Sequence, residues 1–405
     1  MPFDPFVGQR PGFVGVGVAQ TRHATAPIEV GNLAEGSMPQ STKLGSGGGT
    51  RTDRAPFTLL RDVRSIQFAY HNNVLAFDGS TGTPNALTIK VALELPTGEI
   101  VPVTFNGSRS QAIAQGVEVV SDEINRNLLK GGGYFVRTAI TVAANGSWPG
   151  SHRVLPGYNR YGAAAGDQAD STNIDQFQTP SYAFCPTAIL GVPTTALMRT
   201  ANVLLVADSI GAGLYTGGMN VQDSGDLGGY SDGLTRAKIP HVRWASGGAR
   251  QEWVAQNIEI IRRLASRARA THVLTNLSIN NRSSVPGAWI GTTKAMWDVL
   301  GTLNIPVVQT TIMPQASSTD DFATLGNQTP DSNNPYRVEL NNYIMTQPHS
   351  ALGGVIDVHR AVEFDPDSGV GRWKPRFTGD GGHPNDVGHA ALSDYLATHL
   401  PSRIF

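Results

Sequence analysis

A single cysteine, Cys185, stands in a chain of 405 residues, so no intrachain disulfide can form. No Cys/His group has the spacing of a zinc site either. Charged residues are scarce, at 16%, against about 25% in an ordinary soluble protein. Thirty-one Lys and Arg face 32 Asp and Glu, a net charge of −1. A chain so balanced lacks the basic excess of a general nucleic-acid binder. No apolar run approaches the roughly 18 residues of a membrane span. The opening MPFDPFVGQRPG has neither the basic region nor the apolar stretch of a secretory signal. The expected location is therefore the cytoplasm by default, or a virion or non-classically released protein. What the chain does have is 40% hydrophobic residues, enough for a real core, with 46 Gly and 25 Pro. These glycines and prolines follow no period, which excludes collagen and points to many turns and short strands. The length suits two to three domains.

Four stretches differ in texture. Residues 1–55 hold too many glycines for a helix and read as an extended, turn-rich arm. Residues 56–145 read as β. Leu87, Ile89, Val91, Leu93 and Leu95 alternate with polar or small residues, the period of a strand with one buried face. Val101, Val103 and Phe105, then Ile66, Phe68 and Tyr70, and finally Tyr134, Val136, Thr138, Ile140 and Val142 repeat the pattern. Short strands joined by turns suggest a sandwich or jelly roll, with one helix expected around 110–128. Residues 146–200 read as a long polar connection. From 201 to 405 the pattern is α/β. Five short apolar strands, at 202–207, 241–245, 272–277, 305–312 and 354–358, alternate with helical segments near 229–238, 250–269, 292–303, 335–347 and 386–399. Such alternation predicts a parallel sheet covered on both faces. Ligands of such sheets bind at the carboxyl ends of the strands.

The residues at those ends carry the chemistry. Ser209 follows strand one in Ala207-Asp208-Ser209-Ile210-Gly211. There it is placed either as a helix cap or as a nucleophile whose own N–H faces a developing oxyanion. Ser246-Gly247-Gly248-Ala249-Arg250 follows strand two, and its glycines either make a plain turn or let backbone N–H groups approach a ligand. Ser278-Ile279-Asn280-Asn281 follows strand three, as a turn or as an amide donor into the crevice. Near the C-terminus stands Gly379-Asp380-Gly381-Gly382-His383-Pro384-Asn385. A carboxylate three residues before a histidine can fix the ring's tautomer, leaving the other nitrogen to take a serine proton.

Taken together, in that order, these blocks resemble the SGNH or GDSL family of serine hydrolases over residues 200–400. Ala207-Asp208-Ser209 is similar to the family's Gly-Asp-Ser. Gly248 is similar to its second-block glycine, Ser278-Ile279-Asn280-Asn281 to Gly-x-Asn-Asp, and Asp380-Gly381-Gly382-His383 to Asp-x-x-His. The resemblance implies a flavodoxin-like three-layer domain with a five-stranded parallel sheet in the order 2-1-3-4-5. It implies Ser209 as nucleophile, His383 as base and Asp380 as orienting acid, with an oxyanion hole from the N–H groups of Ser209 and Gly248 and the Asn280 side chain. Ala207, Ser278 and Asn281 depart from the family's Gly, Gly and Asp, and the last removes a charge.

The expected activity is that of a serine esterase acting on short-chain acyl esters, acetyl foremost, including those on carbohydrate. It needs no metal or organic cofactor. The alternative is a structural or glycan-binding protein, for example virion-associated, with a dormant hydrolase fold. Tyr215 and Trp244 are candidate sugar contacts, as are Tyr230, Trp289 and Trp373, although each is as well suited to a core. Gly211-Ala212-Gly213 is a weak dinucleotide match because Thr216 stands where the third glycine is needed. Asp365-Pro366-Asp367-Ser368-Gly369 lacks the Glu of a calcium loop. His272 and His359 read as packing or surface residues, and His389, six residues after His383 inside the last expected helix, lies too far round for the same role.

Overall fold

The computed structural model describes residues 27–33, 41–44, 49–76, 79–82, 85–150, 162–173, 175, 177, 183–194, 201–213, 228–282, 285 and 287–405. In the first half, the alternating segments form two antiparallel sheets. One runs in the order Gln111–Ile113, Leu87–Glu94, Tyr134–Val142, Gly49–Leu59, Gly162–Ala165. The other runs Ile28–Glu29, Ala188–Pro193, Val63–His71, Glu118–Val120, and Ile124–Leu128 also pairs with Val63–His71. Their apolar faces meet in one core that includes Phe57, Phe68, Tyr70, Ile89, Val136 and Ile189. Phe57 stacks on Tyr134 at 5.6 Å and meets Phe68 edge-on at 5.7 Å, both favoured aromatic geometries.

The helix expected around 110–128 is not there. Three short strands replace it, because Gly116 turns the chain at φ +73° and the segment finds partners in Leu87–Glu94 and Val63–His71. Strands also occur within the stretches read as an arm and as a connection. Gly49–Leu59 gives a central strand, and Ala188–Pro193 gives a wholly buried one. Their short apolar runs carry too little periodicity to stand out between glycines.

The second half is built on five parallel strands: β1 (Val203–Ala207), β2 (His241–Ala245), β3 (His272–Thr275), β4 (Val307–Thr310) and β5 (Leu352–Ile356). Their order is β2-β1-β3-β4-β5. Every residue of β1 and β2 is buried, as a strand covered on both faces requires. The helices among the described residues are α1 (Gly228–Arg236), α2 (Glu252–Gln256), α3 (Ile258–Ala268), α4 (Ala288–Gly301), α5 (Asn334–Met345), α6 (His359–Val362), α7 (Asp386–His399) and the short α8 (Pro401–Ile404). The helix expected over 250–269 is broken at Asn257, whose side-chain amide donates to Trp253 O at 2.8 Å. The α3 stripe of Ile260, Ile261, Leu264, Ala265 and Ala268 is buried as its spacing predicts.

Two contacts position the rest. Helices α1 and α7 lie against each other, and a Cβ at Gly229 would stand 2.6 Å from His389 O while one at Gly233 would stand 2.8 Å from Leu396 Cβ. Glycine is required at both for so close an approach. Helix α3 also touches Ile28–Glu29 and Ala188–Pro193 of the first half, and Ala69, Ala188 and Leu190 join the core of the parallel sheet.

Candidate active site

Strand β1 delivers its chain to a tight turn at Asp208–Gly213. A Cβ at Gly211 would lie 2.2 Å from Ala207 Cβ, so the turn admits no larger residue. Asn276, just past β3, clasps this turn. Its amide donates to Asp208 Oδ1 at 2.7 Å and its carbonyl oxygen accepts from Asp208 N at 3.1 Å. Ile210 N also donates to Asp208 Oδ1, at 2.9 Å. Burial pushes the Asp208 carboxyl up to about 6, against the opposing hydrogen bonds from Ile210 and Asn276 and the charge of His383. Ser209 follows, 5% exposed.

The histidine sits in a second braced turn. Thr378 Oγ1 donates to His383 O at 2.7 Å and accepts from Gly381 N at 2.9 Å. Asp380 Oδ1 accepts from the N–H groups of Gly382 and His383, each at 2.8 Å. Its Oδ2 stands 2.7 Å from His383 Nδ1. Burial would raise the Asp380 carboxyl, but the ring's hydrogen bond, the two backbone N–H groups and the ring's charge together bring it to about 2. The turn is pinned to the segment after β4, where Ala316 N donates to Gly381 O at 3.1 Å. Asn385 then caps α7, accepting from Val387 N and Gly388 N.

These two turns bring Ser209 Oγ to 2.9 Å from His383 Nε2, across 174 residues of sequence. With an ionised carboxylate on Nδ1, that nitrogen carries the proton and Nε2 is the acceptor, an assignment made from the hydrogen bonds. Serine, histidine and aspartate thus form one connected chain. It can pass a proton from the hydroxyl to the ring and stabilise the resulting charge.

Gly248, past β2, has φ +73°. Asn280 lies in the short 3₁₀ turn Ile279–Asn281 past β3 and spends one amide hydrogen on Ala249 O at 2.9 Å. Among the described residues nothing else accepts from this amide, so its other hydrogen remains for a further acceptor. Asn281 is used differently. It accepts from Gln251 N at 2.8 Å and donates to Glu252 Oε2 at 2.6 Å, so the carboxylate missing at position 281 is present next to it at Glu252. Gly248 and Asn280 line one cleft of about 640 Å³ together with Arg250, Trp253, Arg282 and Gln315. Arg282 and Gln315 also border a hollow of about 220 Å³ that reaches Asp380 and Gly382.

Sequence reasoning overlooked Asn276, Thr378, Arg282 and Gln315. Gln315 follows β4 just as the other site residues follow their strands, which is the signal that would have found it. Of the sugar-contact candidates, Tyr215 lies outside the described residues. Trp244 does not reach the site: it is wholly buried within β2. Tyr230, Trp289 and Trp373 are also buried. Trp373 Nε1 instead donates to Gly381 O at 3.0 Å and so supports the histidine turn from beneath. His389 Nδ1 accepts from Gly229 N, and His359 lies against Asp357 and Glu363. Among the described residues no group of three or more His, Cys, Asp or Glu could hold a metal ion. Among them, too, no helix is long and apolar enough to cross a membrane.

No family model matches the sequence, and no curated protein matches it. Solved structures do. A GDSL-like lipase from Bacteroides thetaiotaomicron is 14% identical, with a TM-score of 0.34 over 50% of this chain and 88% of its own. A carbohydrate esterase family 2 enzyme with its carbohydrate-binding domain, from Corynascus thermopiles, is 10% identical, with a TM-score of 0.35 over 93% of this chain and 99% of its own. A lipase from a goat rumen metagenome is 12% identical, with a TM-score of 0.34 over 50% of this chain and 97% of its own. The solved structures to which this chain is similar thus include GDSL- or SGNH-type hydrolases, lipases and a carbohydrate esterase, and the chemistry rests on this chain's own residues.

Proposed function

We propose that the protein is a carboxylic ester hydrolase in which Ser209, His383 and Asp380 act as nucleophile, base and orienting acid. The observation that carries this reading is the unbroken chain Ser209 Oγ–His383 Nε2, 2.9 Å, and His383 Nδ1–Asp380 Oδ2, 2.7 Å, at the carboxyl edge of a parallel sheet. Ser209 Oγ attacks the acyl carbon as its proton passes to His383. The N–H groups of Ser209 and Gly248 and the Asn280 amide take the negative charge that forms on the carbonyl oxygen. His383 returns the proton to the leaving alcohol, and an acyl-enzyme remains. Water then attacks it with the same base, releasing the acid and restoring the serine.

The lining beside the oxyanion donors sets Arg250, Asn280, Arg282 and Gln315 against two apolar residues, Trp253 and Ile279, too few for a long apolar channel. Long acyl chains need an apolar channel, so this lining supports short-chain acyl groups, acetyl foremost, on a polar alcohol such as a sugar. The two antiparallel sheets around one core are read as a sandwich-like unit that selects substrate or assembles the protein. Turnover of 4-nitrophenyl acetate tests the reading. Ser209→Ala should lower kcat by about 10³-fold or more, and an organophosphonate should label Ser209. An alanine variant of near-normal activity would remove Ser209 from its role. A wild-type protein without turnover would leave the dormant-hydrolase alternative.

A further inference from the structure

We infer that the cleft next to the oxyanion donors binds a carboxylate carried by the substrate, with Arg250 and Arg282 as the residues that recognise it. This inference rests on the esterase reading and names the class of ester that the site prefers.

The cleft holds two guanidinium groups, and among the described residues lining it none is Asp or Glu. Both arginines stand about half exposed at its surface, with side-chain exposures of 56% for Arg250 and 48% for Arg282. The acids nearest to them form only long ion pairs with them and share their other oxygens. Arg250 Nη1 stands 3.8 Å from Glu252 Oε1, beyond hydrogen-bond reach, while the other oxygen of Glu252 accepts from Asn281. Arg282 Nη1 donates to Gln315 Oε1 and lies 3.6 Å from Asp331 Oδ2. Asp331 Oδ1 meanwhile accepts from Asn333 N. Among the described residues Arg282 Nε and Nη2 have no hydrogen-bond partner, and an arginine presents its five donors as a fork suited to a carboxylate. The hollow beyond Arg282 is lined by Asp331 and Asp380 as well, so the paired cations are a feature of the cleft beside Gly248 and Asn280 alone.

Their place fixes what they can discriminate. Gly248 and Asn280 border the same cleft as the arginines, so a substrate whose carbonyl oxygen sits at those donors has its neighbouring atoms within the cleft. Arg282 also borders the hollow that leads to Asp380 and Gly382. The carboxylate can therefore belong to the acyl chain, as in a half-ester of a dicarboxylic acid, or to the alcohol, as in an acylated acidic sugar. The recognising chemistry is the same in both cases.

Paired substrates separate the two sources. Mono-4-nitrophenyl glutarate against 4-nitrophenyl pentanoate places the charge on the acyl side. 4-Acetoxybenzoate against 4-acetoxybenzamide places it on the alcohol. In at least one pair the anionic ester should show a kcat/KM about 5- to 10-fold above its neutral partner, allowing for the leaving groups' intrinsic reactivity. That ratio should fall toward one in Arg250→Gln and Arg282→Gln, and in about 0.5 M NaCl, where half-exposed charges are screened. Circular dichroism checks that both variants fold. A ratio of one or less in both pairs, or a preference that neither substitution changes, overturns the inference. Should no ester be hydrolysed, it is the esterase reading that fails. Calorimetric titration of the wild-type protein and both variants with glutarate and with benzoate then decides the carboxylate site alone. Binding weakened by the substitutions sustains it, and no binding, or binding indifferent to them, removes it.

Discussion

Asp208 is held by burial in a state that costs the fold energy at neutral pH. Its carboxyl titrates near 6 in the folded protein against 3.8 in its ordinary environment, so between those values the native state binds the extra proton. Stability should therefore fall as pH rises through that window, and the cost should persist above it, on the order of 3 kcal/mol. Asp208→Asn keeps an acceptor for Ile210 N and Asn276 and cannot ionise. The advantage of the variant over wild type in urea unfolding should grow between pH 4 and 7, and parallel curves would show that the carboxyl is not strained. The two asparagines of the third loop divide their work. Asn281 spends both ends of its amide on Gln251 and Glu252, whereas Asn280 keeps a donor and borders the cleft. Asn280→Ala should cut kcat by about 10²- to 10³-fold with little change in KM, and Asn281→Ala should cost much less. A reversed order in kcat would assign the oxyanion donor to Asn281.

At the scale of elements, the site depends on short turns held by glycine. Gly381 has φ +76°, and a Cβ there would fall 1.8 Å from Ala316 O. Gly381→Ala must displace either the histidine turn or the segment after β4. A shift of about 1 Å at His383 is enough to lose about 10²-fold in kcat. Kinetics and a far-ultraviolet spectrum together check this, and a fully active, folded Gly381→Ala would mean that the turn does not set the ring. The parallel strands were legible because each is a short apolar run between turn residues. Their ends were less so: β3 stops at Thr275, since Asn276 leaves the ladder to bond Asp208. Strands such as Glu118–Val120 were hidden because what makes them strands is a distant partner, Val63–His71. The aromatic residues misled for the opposite reason. Trp244 and Trp373 lie close to functional loops in sequence, yet fill the layer beneath them.

At the scale of the molecule, the two halves are joined by packing and by a few polar contacts. Leu190 enters the core of the parallel sheet, Arg61 donates to Ala201 O at 2.9 Å, and Arg267 on α3 pairs with Glu118 at 2.6 Å. A fragment of residues 194–405 keeps Ser209, Asp380 and His383 but loses these contacts. It should melt at a lower temperature than the full chain and retain part of the activity on a small ester. Equal melting temperatures would show that the first half lends no support, and a folded fragment devoid of activity would show that it supplies part of the site. The order of the motifs along the chain was readable, but this coupling was not, because it lies in surfaces far apart in sequence.

The serine turn belongs to the first strand of the parallel sheet and the histidine turn to the start of α7. The α1–α7 contact, with its glycines at 229 and 233, brings the ends of that unit together. Such distant pairing is slow to form, because the intervening chain must be ordered before the contact rewards it. During refolding from denaturant, helical signal should therefore return before ester turnover does. Ester turnover would then serve as a clock for the closure of the chain, and a nascent polypeptide that still lacks the His383 turn would carry no premature activity.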